Sequence, residues 1–305
     1  MRRKVRHRRN TPPVVSVLAI PKVWPMTNRE IAHIVKDQQP LALPTNTTVR
    51  EACRAMTERG TGSVLVVDAD KTLKGIFTGR DAVRFLAKAK DPAAARLGQA
   101  MRKDPVTITP GGRAVDALRA MNEGGFRHMP VVEDGRIWGV VSRGDFKGME
   151  FERFARHVLG EAASTGDYRE IAEIIRERKP HVMHSGETAA EAAKSMTRRK
   201  GHPVLVIDAR GSLKGIFTGR DAVRLLAKAK DPASTLLSRA MTKDPVHIHP
   251  AKTAVDALRL MHAGGFRHVV VVDDGAVCGC IARADLSGPE IDRLEEEVHL
   301  WETIR

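Results

Sequence analysis

Residues 75–93 read GIFTGRDAVRFLAKAKDPA, and residues 215–233 read GIFTGRDAVRLLAKAKDPA. The two stretches differ only at Phe85 and Leu225, and they lie 140 positions apart without a gap. The same shift aligns residues 114–119 with 254–259, and residues 124–128 with 264–268. A constant shift with this level of identity indicates that the chain is a duplication. The two copies begin near residues 28 and 168.

A weaker repeat lies inside each copy. Residues 75–81 resemble residues 139–145, and residues 215–221 resemble residues 279–285, both at a shift of 64. The chain therefore contains four related units.

Each unit has the same order of structural signals. A short extended segment, such as 40–44 or 106–110, is followed by apolar residues at the i, i+3, i+4, i+7 spacing of a buried helix face. In the first unit these residues are Val49, Ala52, Cys53 and Met56. Two apolar runs joined by an Asp/Gly turn then indicate paired strands, and a second helix follows. The pattern predicts an α/β protein built from four β-α-β-β-α units.

The step from the second strand to the second helix carries Gly-apolar-apolar-Thr-x-x-Asp, as in residues 75–81. A hydroxyl beside a helix N-terminus is suited to binding phosphate, and a carboxylate three residues later can accept hydrogen bonds from the two hydroxyls of a ribose. The alternative is purely structural, because Thr and Ser are common helix N-caps and Asp in the first turn complements the helix dipole. One copy of the step does not decide between these interpretations.

Taken together, the four copies resemble the cystathionine β-synthase (CBS) domain family, with four CBS motifs in two tandem pairs. The resemblance covers roughly residues 28–300. The residues that carry it are Gly75, Thr78 and Asp81; Gly139, Ser142 and Asp145; Gly215, Thr218 and Asp221; and Gly279 and Asp285.

The resemblance implies two pseudo-two-fold Bateman modules, at residues 28–160 and 161–305, behind a basic arm at residues 1–27. The modules are expected to pack on each other within the chain or to pair with a second chain.

The resemblance also implies adenosine ligands in clefts between paired motifs. The expected ligand is AMP, ADP or ATP, ahead of S-adenosylmethionine or NAD. We name each cleft by the motif that supplies its aspartate. The first cleft would combine Thr78 and Asp81 with Arg127 and His128, and the third would combine Thr218 and Asp221 with Arg267 and His268.

The second and fourth clefts have weaker ligand sets. The second would combine Ser142 and Asp145 with the uncharged residues 61–63, which suits a less charged ligand. The fourth departs from the pattern, because Ala282 stands where a hydroxyl is expected beside Asp285, opposite Gly201 and His202.

Composition excludes several other classes of function. Hydrophobic residues make up 42% of the 305, and no apolar run is long enough for a membrane span. Three cysteines cannot form a disulfide framework, which favours a reducing cytoplasm. Cys278 and Cys280 lack partners for a zinc site and are interpreted as packing residues. Since no motif supplies a catalytic nucleophile or acid/base pair, we expect a non-enzymatic regulator that acts through conformation or oligomerisation.

The net charge of +14 leaves a second function open. Six of the first ten residues are Arg or Lys, and none is acidic. Such an arm is either a disordered tail or a nucleic-acid contact. The alternatives to a nucleotide sensor are therefore a nucleic-acid-binding protein that uses residues 1–10 and a structural scaffold with empty clefts. Expected partners of a sensor are an effector protein and a second copy of the chain.

Overall fold

A computed structural model describes residues 29–88, 91–142, 145, 169–199, 201–229 and 231–286. The predicted arm at 1–27 and the predicted module boundary at 160 lie outside these residues. The same holds for the predicted second helices of the second and fourth units, apart from their opening residues. The nucleic-acid role of residues 1–10 therefore stays a prediction.

The first half of the chain contains five helices and six strands among the described residues. In chain order they are α1 (Ile31–Val35), β1 (Ala42–Pro44), α2 (Val49–Glu58), β2 (Ser63–Val67), β3 (Leu73–Thr78), α3 (Gly79–Lys88), α4 (Leu97–Ala100), β4 (Arg102–Lys103), α5 (Ala114–Glu123), β5 (His128–Glu133) and β6 (Arg136–Ser142). We call β1 to α3 motif 1, and the segment from Ile108 to the end of β6 motif 2.

The second half repeats this order. Its elements are α6 (Ile171–Ile175), β7 (Val182–His184), α7 (Ala189–Arg198), β8 (Val204–Ile207), β9 (Leu213–Phe217), α8 (Gly219–Lys228), α9 (Leu237–Ala240), β10 (Thr242–Lys243), β11 (His247–Ile248), α10 (Ala254–Gly264), β12 (His268–Asp273), β13 (Ala276–Ala282) and a 3₁₀ helix (Arg283–Leu286). We call β7 to α8 motif 3, and β11 to the 3₁₀ helix motif 4.

Each motif is built on a parallel strand followed by an antiparallel hairpin. In motif 1, β1 runs parallel to β2, β2 pairs antiparallel with β3, and β4 completes the sheet order β1-β2-β3-β4. Motif 3 has the equivalent order β7-β8-β9-β10. In motif 2, an isolated parallel bridge from Ile108 to Val131 stands in place of the first strand. The predicted β-α-β-β arrangement is therefore confirmed wherever the structure describes it.

Capping and burial explain the first helix of motifs 1 and 3. Thr48 and Glu51 form a reciprocal capping box at the start of α2, as Thr188 and Glu191 do at α7. Such a box satisfies backbone N–H groups that a helix start leaves without partners. The predicted stripe of Val49, Ala52, Cys53 and Met56 is buried, as are the corresponding residues of α7. The sequence therefore defines both the start of these helices and the face that they bury.

Short leading helices join the two motifs of each half. Ile31 and Val35 of α1 pack in the core of motif 2, although α1 precedes motif 1 in the chain. Ile171 and Ile175 of α6 pack in the core of motif 4 in the same way. The unit pattern did not predict these helices, because each has only five residues and is stabilised by the neighbouring motif.

The two halves pack against each other through helices of motifs 1 and 3. Helix α2 lies against α8, and α3 lies against both α7 and α8. Arg50 donates to the carbonyl oxygen of Ala229 at 2.7 Å, and Arg54 donates to that of Ala227 at 3.1 Å. One apolar core contains residues from both halves. Of the two expected arrangements, the structure thus shows packing within the chain.

Candidate functional site

The Asp of the repeated step caps the end of the preceding strand in all four motifs. Its Oδ2 atom accepts a hydrogen bond from the backbone N–H three residues earlier. The donors are Thr78 at 2.9 Å, Ser142 at 2.5 Å, Thr218 at 2.8 Å and Ala282 at 2.7 Å. Each aspartate therefore has a structural contact, and a ligand-binding role would be additional to it.

In the first cleft, the carboxylate of Asp81 is largely occupied by neighbours. The Thr78 hydroxyl donates to Oδ2 at 2.9 Å, and an Arg84 Nη atom lies 3.0 Å from Oδ1. The side chain is 8% exposed. Burial raises the pKa of Asp81, and the Arg84 guanidinium partly opposes that shift. Thr78 and Asp81 thus contact each other, together with an arginine that the sequence interpretation did not include.

In the third cleft, Asp221 is enclosed further. The Thr218 hydroxyl donates to Oδ2 at 2.6 Å, while Arg224 and the Thr242 hydroxyl both donate to Oδ1. The side chain is only 1% exposed. In the first half, Arg102 occupies the position of Thr242, so this additional donor is specific to the third cleft.

The second cleft retains unused hydrogen-bonding capacity. Asp145 accepts the Ser142 N–H through Oδ2, and its Oδ1 contacts no donor among the described residues. Ser63 is 2% exposed, and its hydroxyl has no hydrogen-bond partner. Ser63 and Leu65 lie on the same face of β2, because alternate strand residues face the same side. A buried hydroxyl without a partner is unfavourable and is consistent with a polar ligand nearby.

The fourth cleft has a different set of contacts. Ala282 supplies no hydroxyl, and Arg178 Nη1 lies 2.7 Å from Oδ1 of Asp285. Both oxygens of Asp285 are therefore engaged within the protein.

His128 and Arg127 lie where motifs 1 and 2 meet. A methyl group added to Gly62 would be 2.6 Å from Nε2 of His128, so the glycine leaves room for the imidazole. Arg80, at the start of α3, donates to the carbonyl oxygen of Gly125 at 2.9 Å. The start of α3 is thus tied to the segment that precedes Arg127. This geometry favours the predicted first cleft, while direct contact of Arg127 and His128 with a ligand stays a prediction.

The arginines and histidines of the two halves influence each other electrostatically at this point. Burial lowers the pKa of His128 to about 3, with further lowering by Arg267 and then Arg127. Burial likewise lowers the pKa of His268 to about 3, and the positive charges of Arg127, Arg267 and His202 lower it further, in that order. Each histidine is thus affected by the arginine of the other half. We call these four residues, the charged Arg127 and Arg267 with the neutral His128 and His268, the central cationic cluster.

The sequence interpretation missed the side-chain partners of Asp81, Asp221 and Asp285 from outside the repeated step. Arg84 and Arg224 follow Asp81 and Asp221 at the i, i+3 spacing of a helix salt bridge, a signal that could have revealed them. Thr242 and Arg178 come from distant segments. In the sequence, their one sign is a difference between the halves, because Arg102 and Gln38 stand at the corresponding positions of the first half.

The cysteines do not form a metal or redox site within the described part of the chain. All three are free, and Cys280 packs with an apolar cluster between motifs 3 and 4. Burial raises the pKa of Cys53 and of Cys280 to about 12, so both are thiols at neutral pH. No group of three metal-binding side chains occurs among the described residues. In the same part of the chain, no helix has the length and apolar character needed to cross a membrane.

Curated relatives cover most of this chain. A CBS domain-containing protein of Arabidopsis thaliana, CBSCBSPB3, is 29% identical over 84% of this chain and 51% of its own length. Protein MJ1225 of Methanocaldococcus jannaschii is 26% identical over 63% of this chain and 69% of its own length. This chain spans about half the length of the plant relatives that it matches.

A solved structure supports the fold. The crystal structure of MJ1225, described as a proposed archaeal homologue of g-AMPK, matches with a TM-score of 0.65 and 19% identity. The match covers 85% of this chain and 98% of MJ1225. It supports the arrangement of the four motifs as two Bateman modules.

The sequence model of the CBS domain matches four segments, at residues 31–88, 97–148, 171–228 and 237–288. These segments contain all four strand-end aspartates and cover most of the chain. The match indicates no catalytic family. With its four strand-end aspartates and its two modules packed within one molecule, the chain belongs to the CBS domain family.

Proposed function

We propose that the chain is a non-catalytic sensor of adenine nucleotides. AMP, ADP or ATP binds in the first cleft, with Thr78 and Asp81, and in the third cleft, with Thr218 and Asp221. The central cationic cluster receives the phosphates. S-adenosylmethionine and NAD are alternative ligands, and a calorimetric titration with each compound distinguishes them from the nucleotides.

The central cationic cluster is the observation that carries this proposal. Arg80 ties the start of α3 to Gly125, just before Arg127, Gly62 leaves room for the His128 imidazole, and the pKa of each histidine is lowered in part by the arginine of the other half. Concentrated positive charge at a partly desolvated site favours an anion. A phosphate group there would favour protonation of the histidines.

The aspartates impose a condition on ribose binding. Arg84 already occupies one oxygen of Asp81, and Arg224 occupies one oxygen of Asp221. A ribose that binds these carboxylates must displace the guanidinium groups. Binding would then release Arg84 from Asp81 in the first turn of α3, or Arg224 from Asp221 in the first turn of α8, and these are helices through which the halves pack. This offers a route from ligand binding to a change in the packing of the halves.

The output of such a sensor is carried by another molecule. We propose that the change in packing alters affinity for an effector protein or for a second copy of the chain, in the cytoplasm. A ligand can shift the equilibrium between two packing arrangements of the halves only to the extent that it binds one of them more tightly than the other.

Calorimetric titration of the intact chain with AMP, ADP, ATP, S-adenosylmethionine and NAD tests the proposal. A ligand at a hundred times its Kd stabilises the folded state by about 2.7 kcal/mol, which thermal unfolding readily detects. Asp81→Ala combined with Asp221→Ala should abolish the effect. The matched control is Asp68→Ala with Asp208→Ala, which removes one turn carboxylate per half, each paired with a lysine. If none of the five ligands produces heat, the sensor proposal is wrong.

A further inference from the structure

Arg178 follows helix α6 and reaches the carboxylate of the fourth cleft. Its Nη1 lies 2.7 Å from Oδ1 of Asp285, whose side chain is 13% exposed. The other oxygen of Asp285 accepts the Ala282 N–H at 2.7 Å. The carboxylate of the fourth cleft is therefore neutralised and hydrogen-bonded by the protein itself.

The first half provides an internal comparison for this contact. Gln38 corresponds to Arg178, and the same turn places both residues. The N–H of Gln38 donates to the carbonyl oxygen of Val35 at 3.0 Å, and the N–H of Arg178 donates to that of Ile175 at 2.8 Å. The side chains then differ in their contacts. Oε1 of Gln38 accepts the Val140 N–H at 3.2 Å rather than reaching Asp145.

A second difference between the halves lies in the same cleft. Ser142 ends β6 in the first half, whereas Ala282 ends β13 in the second. The fourth cleft has thus lost a hydroxyl, and its carboxylate is engaged by an added guanidinium. Both differences remove hydrogen-bonding capacity that a ribose would need.

We propose that Arg178 is an internal ligand that closes the fourth cleft to nucleosides and nucleotides. The inference rests on the proposed function, because it states which of the four clefts can serve that function. The contact also attaches the segment after α6 to motif 4. The second half therefore has one ligand-responsive cleft, and the first half has two.

The test transfers the residues of one half to the other. Arg178→Gln with Ala282→Ser gives the fourth cleft the pair found in the second cleft, Gln38 and Ser142. Calorimetric titrations with AMP and, separately, with adenosine should show one more bound molecule per chain than wild type for at least one probe. Adding Asp285→Ala should remove the additional molecule. Arg178→Gln alone serves as the second variant if the double variant does not fold.

An unchanged stoichiometry with both probes, in a variant whose urea midpoint shows that it is folded, would overturn the closed-cleft proposal. A wild-type chain that binds neither probe, and none of ADP, ATP, S-adenosylmethionine and NAD either, would instead contradict the proposed sensor function. In that case the variant titrations still test the role of Arg178. Binding to the Arg178→Gln, Ala282→Ser variant but not to wild type would support a closed fourth cleft, and no binding to the variant would refute it. A double-mutant cycle of Arg178→Gln and Asp285→Asn in urea checks the ion pair without any ligand. Zero coupling in that cycle would also overturn the proposal.

Discussion

His128 and His268 begin equivalent strands, and the folded protein keeps both imidazoles neutral. Burial and the two arginines of the central cationic cluster lower each pKa to about 3, from an ordinary value of 6.5. The unfolded chain takes up a proton on each histidine near pH 6.5, and the folded chain does so only near pH 3. Between these values the unfolded state binds more protons, so folding stability must rise with pH through this window.

We therefore expect acid sensitivity that depends on these two residues. Lowering the pH from 7 to 5 should reduce the folding equilibrium constant of the wild type by up to about tenfold per pH unit for each histidine. His128→Gln with His268→Gln should flatten this dependence, as read from urea midpoints at several pH values. His33→Gln with His184→Gln removes two exposed histidines and should keep the wild-type slope. Equal slopes in all three proteins would contradict the assignment.

Arg84 gives a second expectation at the scale of single residues. Because its guanidinium occupies the Asp81 oxygen that a ribose would use, Arg84→Gln should tighten AMP binding to the first cleft several-fold. The same substitution should destabilise the free protein, since it leaves a buried carboxylate without its charge partner. Calorimetry measures the first effect and urea unfolding the second. Weaker AMP binding would mean that Arg84 contacts the ligand rather than competing with it.

At the scale of elements, hydrophobic patterning predicted most of the fold because each buried face has its own periodicity. The stripe of α2 and the apolar run of β2 were both visible in the sequence. The hairpin strands extend beyond their apolar runs, since backbone pairing continues through polar residues such as His128 opposite Ser142. Helices α1 and α6 escaped the pattern, because their stability comes from the neighbouring motif and not from their own length.

The starts of helices α3 and α8 approach each other closely enough to exclude a side chain. A methyl group added to Gly79 would lie 2.9 Å from the carbonyl oxygen of Gly219, and the reverse substitution would give the same distance. Gly79→Ala should therefore force the halves apart and cost about 1–3 kcal/mol of stability in urea unfolding. Gly111→Ala is the matched control, because a methyl group there has no neighbour within 4 Å. A cost no larger than that of the control would show that this contact is not tight in solution.

At the scale of the whole molecule, the duplication predicted two halves but not which groups would meet between them. The candidate residues Arg127, His128, Arg267 and His268 were assigned to separate clefts, two in each half. Their convergence depends on how α2 and α3 pack against α7 and α8, and no local pattern encodes that relation. The same packing makes the electrostatic environment of each half depend on the other.

This dependence can be measured in the protein without ligand. Arg267 lowers the pKa of His128 more than Arg127 does, although Arg267 belongs to the other half. Arg267→Gln should therefore raise the pKa of His128 more than Arg127→Gln does, as followed by NMR titration of the imidazole. Arg136→Gln, which removes the guanidinium over the ring of Trp138, should leave the pKa of His128 unchanged. If Arg267→Gln has no effect, the halves are farther apart in solution than the packed arrangement requires.

If the pKa of His128 rises as expected, then any change that neutralises the charge of Arg267 must alter the electrostatic environment of the first half. A phosphate bound in the third cleft would do this, and the affinity of the first cleft would then depend on whether the third is occupied.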